Sequence, residues 1–128
     1  MTAPRHPTVP DDAGRIIRVA LEASHDKKAH QPEVLDLRGL ASFTDFFVIV
    51  SGTSHRQVQA LGDGILDAFS AARIRPHHVE GLDANEWVLI DAGDVIVHVF
   101  LGDKRVFYDI EGLWRDARRL PVTLPDAS

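Results

Sequence analysis

The segment W-V-L-I-D-A-G-D-V-I-V-H-V-F, residues 87–100, constrains the fold more than any other part of the chain. It reads as two strands, Trp87 to Asp91 and Val95 to Leu101, joined at Ala92-Gly93 by a tight turn. Side chains alternate across a strand. Trp87 and Leu89 therefore share one face and Val88 and Ile90 the other. In the second strand Val95, Val97, Val99 and Leu101 oppose Ile96, His98 and Phe100. Phe46 to Val50, F-F-V-I-V, is another continuous apolar run of strand length. Strands this apolar need cover on both sides.

The cover must come from three helical segments. Ile16, Ile17, Ala20, Leu21 and Ala23 follow helical spacing after Asp11 or Asp12, either of which can cap. Ser24 to Gln31 and Pro32 end that helix. Glu33 to Leu37 alternates like a strand, and R-G-L-A-S-F-T-D leads from it to Phe46. A second helix opens at Ser54, whose S-x-x-Q spacing to Gln57 predicts a capping box. Val58, Leu61, Ile65, Ala68, Phe69 and Ala72 form its apolar stripe. Gly62 and Gly64 cost it roughly 1 kcal/mol each relative to alanine and permit close packing on the sheet. His77 to Glu80 is a short strand, and Arg105 to Tyr108 extends the sheet. Asp109 caps a last helix with Ile110, Leu113, Trp114 and Ala117 on one face. The order is helix, two strands, helix, three or four strands, helix. That predicts a single α/β or α+β domain with a mixed sheet over 11–119, a flexible tail at 1–10 and a second tail at 120–128.

A chain of 128 residues fits one domain. The formal net charge of -5 and a pI of about 5.7 argue against a broad basic footprint on nucleic acid but not against docking on a basic protein. The chain has no cysteine, so disulfides, thiolate zinc sites and cysteine nucleophiles are excluded together. No apolar run approaches the ~20 residues that span a bilayer, and Met1 to Pro10 has no hydrophobic signal core. The cytosol is the default compartment.

Candidate chemistry is sparse. Gly52-Thr53-Ser54 follows a buried strand and opens a helix, a place where anions bind, but it has neither G-x-G-x-x-G nor a Walker lysine. Nucleotidyltransferase folds place a glycine-serine pair there and hold metal on D-x-D or D-x-E of a neighbouring strand. Asp91 and Asp94 lie three apart across a turn, and Asp109-Ile110-Glu111 begins a helix, where acidic residues suit the dipole. Neither offers converging oxygens on a strand. His77 and His78 point to opposite faces, and His6, His25, His30 and His55 lie in polar stretches. His98, alone among apolar neighbours, reads as a hydrogen-bonded structural residue, with no serine or cysteine nucleophile tied to it. A partly open patch of Trp87, Ile96, His98 and Phe100 would suit protein recognition. The alternatives are that a terminal helix covers it or that the chain pairs with itself.

Three ordered motifs carry a resemblance: L-D-L-R-G-L-A-S-F-T-D-F-F-V-I-V-S-G-T-S-H-R-Q-V at 35–58, E-W-V-L-I-D-A-G-D-V-I-V-H-V-F at 86–100 and R-V-F-Y-D-I-E-G-L-W at 105–114. From about residue 12 to 118 the chain resembles the Iojap family, the ribosomal silencing factors called RsfS. The resemblance implies a nucleotidyltransferase-like fold without catalytic carboxylates, no cofactor or metal, and no enzymatic activity. It implies binding to the large ribosomal subunit through its protein uL-fourteen, steric exclusion of the small subunit, lowered translation, and a part in large-subunit assembly. Carried over by position, the expected contacts are Trp87, His98, Phe100, Tyr108, Leu113 and Trp114, with Asp91 and Asp94 as acidic contacts. Free in solution, the same patch could be buried in a homodimer. The chain departs from the family's pattern after the second helix, where Ala72-Arg73-Ile74-Arg75 stands in place of the usual glycine.

Overall fold

The computed structural model describes residues 8–122. Its elements are α1 (Asp11–Asp26), β1 (His30–Asp36), β2 (Phe46–Gly52), α2 (His55–Ala71), β3 (His78–Glu80), β4 (Trp87–Asp91), β5 (Val95–Leu101), α3 (Gly102–Tyr108), α4 (Ile110–Leu113) and β6 (Arg118–Leu120). Six strands form one sheet in the order β3-β4-β5-β2-β1-β6. Only β2 and β5 run parallel; the other pairs are antiparallel. This is the single mixed-sheet α/β domain that the sequence predicts.

The two apolar runs meet at the centre of the sheet. Phe46 lies beside Val95, Val48 beside Val97 and Val50 beside Val99, while Phe47 faces Ile96 and Ile49 faces His98. The register therefore sorts side chains into two separate cores. Val34, Phe46, Val48, Val50, Val88, Ile90, Val95, Val97 and Val99 meet Ile17, Ala20, Leu21, Val58, Leu61, Ile65 and Phe69 from α1 and α2. Leu35, Leu37, Phe47, Ile49, Ile96, Phe100 and Ala117 form the other core, with Trp87, Leu89, Ile110 and Trp114 partly buried against it.

Both long helices end alike. The α2 cap is Ala72; Arg73 follows at φ 61°, and Ile74 N–H donates to Phe69 O at 2.8 Å while Arg73 N–H donates to Ser70 O at 3.1 Å. This is a Schellman ending with arginine in the left-handed position where glycine is usual. In α1, Lys28 at φ 62° does the same, with Ala29 N–H on Ser24 O and Lys28 N–H on His25 O. The missing glycine thus leaves the helix end intact. Gly62 does allow close packing on the sheet, since a Cβ there would sit 3.3 Å from Leu82 and 3.5 Å from Val88; Gly64 instead lies against Lys27.

Several expectations change. Pro10, not Asp11 or Asp12, precedes the first helical residue, and the two aspartates occupy the first turn, where the helix dipole favours them. Arg105 to Tyr108 is helical, not a strand. Both edges of β5 are already taken by β4 and β2, so a further strand has no place beside it. The last helix is a single turn, with Asp109 accepting from Gly112 N–H as its cap. The chain then forms β6, pairing Val34 with Leu120 and Asp36 with Arg118. Leu120, expected to begin a tail, thus lies in the sheet. Residues 1–7 and 123–128 of the expected tails lie outside the described residues.

Candidate docking surface

The two sheet faces are covered unequally. The face under α1 and α2 is sealed. Among the described residues the opposite face is covered by α3, α4, the segment that follows them and part of the β1–β2 loop. There an aromatic seam crosses the sheet. Tyr108 lies 4.7 Å from Trp87 between ring centroids, and Trp87 stacks on Phe100 at 4.9 Å. His98 lies 6.0 Å from Trp87 and meets Phe47 edge-to-face at 4.3 Å; Phe47 leads to Trp114 at 6.3 Å and Trp114 to Phe43 at 6.0 Å.

Depth divides the residues that the sequence brings to this face. Phe100 and His98 are buried, 0% and 3% exposed, so they support the surface from beneath and cannot touch a partner in this conformation. Trp87 and Trp114 are half-buried. Tyr108 and Leu113 are open, at 49% and 75%. Asp94 is exposed, while Asp91 is half-buried and its Oδ1 accepts from Gly93 N–H at 2.8 Å, bracing the β4–β5 turn. Asp94 contributes its backbone carbonyl to Asp45 and Phe46 N–H. Among the described residues no group of three or more His, Asp and Glu side chains is arranged to hold a metal ion.

Among the described residues, five exposed large apolar residues are not singled out by the sequence: Val106 and Phe107 on α3, Leu40 and Phe43 in the β1–β2 loop, and Leu82 between β3 and β4. The run V-F-Y was the available signal for the first two. Read as a helix at the rim of the sheet, it points three large apolar side chains outward.

His98 Nδ1 accepts a hydrogen bond from the Trp87 indole at 3.0 Å. Burial pushes its pKa down to about 3, so the ring is neutral. Its Nε2 has no hydrogen-bond partner among the described residues.

A buried clasp sets the position of α3. Arg105, 8% exposed, donates twice to the Glu111 carboxylate, at 2.9 and 3.0 Å. Its Nη1 donates to Gln31 O and to Ser51 Oγ, both at 2.7 Å. The arginine holds the Glu111 carboxyl below the usual range. Ligands of open α/β sheets bind where parallel strands end. Here the guanidinium bonds Ser51 at the end of β2 and, with Gln31, Gly102 and Glu111, lines an open cavity. The α2 N-terminus is closed by its own side chains. Ser54 Oγ accepts from Gln57 N–H, and Gln57 Oε1 accepts from Thr53 N–H at 2.7 Å. The S-x-x-Q spacing therefore delivers its cap, with the glutamine reaching Thr53 rather than Ser54. Glu111 and Asp109, the D-x-E candidates, serve the clasp and the α4 cap.

The fold and this face define a small α/β domain with one sealed sheet face and one aromatic face left half open. Comparison with known proteins gives the family. The profile described as RsfS, "Ribosomal silencing factor during starvation", matches residues 10–128. The ribosomal silencing factor RsfS of Bacillus subtilis is 42% identical over 102 residues, covering 80% of this chain and 86% of that protein. Its Zymomonas mobilis counterpart is 35% identical, covering 88% and 85%. A crystal structure of a Chromobacterium violaceum protein superposes with a TM-score of 0.78 at 36% identity, covering 89% of this chain and 94% of that one. The chain belongs to the ribosomal silencing factor family.

Proposed function

We propose that this protein docks on the large ribosomal subunit, through its protein uL-fourteen, and blocks joining of the small subunit by occupying the space. The observation that carries the reading is the open rim of the aromatic face: Tyr108, Phe107 and Leu113 are 49–76% exposed above a buried layer of Phe100 and His98. An apolar centre with aromatic anchors is how protein interfaces concentrate affinity. Family membership supplies the ribosomal context, and a mouse relative, 36% identical over 75 residues, bears the name "Mitochondrial assembly of ribosomal large subunit protein 1". A part in large-subunit assembly belongs to the same proposal.

The contacts we assign are Trp87, Tyr108, Leu113 and Trp114, with Asp94 as an acidic contact that steers encounter with a basic surface. Phe107 joins them. His98 and Phe100 act from beneath. The reading needs no chemistry. The free protein could bury the same face in a homodimer, competing with docking.

Co-sedimentation with free large subunits at low salt tests the proposal. Wild-type protein should migrate with them and reduce subunit joining, and Tyr108→Ala should lose both effects while staying folded. Absence of the wild-type protein from the large-subunit fraction would end this reading.

A further inference from the structure

We propose that His98 is a positioning residue for the docking surface: its ring, fixed in the Nε2–H form, holds the Trp87 indole in the pose from which Trp87 and Tyr108 meet the partner. The inference rests on the docking reading above and adds a residue that never touches the partner.

The tautomer follows from hydrogen-bond inventory. An indole nitrogen only donates, so the 3.0 Å contact from Trp87 Nε1 requires Nδ1 to accept. A neutral ring with a bare Nδ1 carries its proton on Nε2. A protonated ring would set two donors against each other and break the contact. His98 lies between Leu89 of β4 and Ile49 of β2 in the sheet register, with Phe47 edge-to-face at 4.3 Å. The imidazole is thus anchored before it anchors anything else. The indole bonded to it is stacked against Phe100 at 4.9 Å and meets Tyr108 at 4.7 Å. His98 therefore sets the indole plane, and the indole sets the exposed tyrosine.

The buried Nε2 is the second argument. It is buried and has no hydrogen-bond partner among the described residues, which costs the fold the desolvation of a polar group. A leucine would fill the same place without that cost. Packing alone does not account for an imidazole here; the acceptor that Nδ1 offers to Trp87 does.

Two measurements test this. Ring nitrogen NMR of the wild-type chain should show His98 with Nε2 protonated and Nδ1 bare; a ring protonated at Nδ1 overturns the proposal. Affinity for isolated large subunits is then compared across variants, with Trp87→Ala as reference. His98→Leu should stay folded, speed exchange of the Trp87 indole proton and weaken binding about tenfold, the size of one lost orienting hydrogen bond to a buried group. His98→Gln, which can still accept, should recover most of the affinity. Should His98→Leu fail to fold, Trp87→Phe keeps a ring, removes the donor and should show the same loss. Wild-type affinity in His98→Leu, or in Trp87→Phe where that variant stands in, with loss in Trp87→Ala, overturns the positioning role and leaves the docking reading intact. Wild-type affinity in Trp87→Ala removes Trp87 from the docking surface, and the positioning role with it.

Discussion

Replacing Arg105 by methionine tests whether the clasp, rather than helix propensity, holds α3 in place. The guanidinium makes four hydrogen bonds, two of them to a carboxylate, and is 8% exposed. Methionine keeps much of the volume but strands Glu111. Breaking a buried ion pair from one side costs about 3–5 kcal/mol. The low end applies, because the Glu111 side chain keeps 19% exposure and borders an open cavity with Gln31, from which water can reach the deserted acceptors. The expected loss is about 3 kcal/mol, or roughly 10 °C in Tm for a domain of this size. Urea unfolding at pH 7 reads it as a lower midpoint at constant slope. A second substitution, Glu111→Leu, should restore most of the loss, since the stranded charge is gone. A single-variant cost under about 1 kcal/mol, or a double variant that merely adds both losses, would refute the reasoning.

Acid should expose the same carboxylates. Asp36 and Glu111 are held below the usual carboxylate range by hydrogen bonds from Arg38 and Arg105. Their contribution is complete above the unfolded carboxylate value of about 4 and is lost as pH falls through their lower folded values. The urea midpoint should therefore drop steeply below about pH 4, and less steeply in Asp36→Asn/Glu111→Gln; equal slopes would show that other groups govern it. Arg73→Gly should stabilise the chain by about 0.5–1 kcal/mol, because glycine takes the left-handed position without strain; a lower Tm would contradict the Schellman assignment. Phe107→Ser, at a 76% exposed position, should change stability by less than about 0.5 kcal/mol while weakening large-subunit binding at least about tenfold. Phe100→Ala should cost about 3–5 kcal/mol of stability, and unfolding curves of the two variants would expose any reversal of these roles.

The strands and the facing of their side chains were legible because a period of two leaves one choice per residue. Val95, Val97 and Val99 had to oppose Ile96, His98 and Phe100, and they do. Depth was not legible. Whether Phe100 lies at the surface or under it depends on where α3 comes to rest, and that is decided by Gln31 and Ser51, far away in sequence. The helical state of Arg105 to Tyr108 was not legible for the same reason. A four-residue stretch with three apolar members fits either period, and the occupied edges of β5 settle the matter only in three dimensions. β6 left almost no trace, since Arg118, Arg119 and Leu120 neither alternate nor carry β-branched residues; its pairing is local to Val34, Leu35 and Asp36.

The unequal cover of the sheet follows from lengths. At 1.5 Å per residue, the 16 residues of α1 span about 24 Å, while the 7 of α3 reach about 10 Å. Helices as short as α3 and α4 do not persist alone in water. Their positions must come from elsewhere, and each support is identifiable: the Arg105 clasp, the Asp109 carboxylate on Gly112 N–H, and Ile110, Trp114 and Ala117 packed on the second core. The residues that point outward are therefore carried by elements whose stability is borrowed from the sheet. Loosening any support should disturb Tyr108, Phe107 and Leu113 before it reaches the sealed face under α1 and α2. Under the proposed docking role, binding then becomes the more sensitive reporter of damage to this half of the molecule, and global unfolding the less sensitive one.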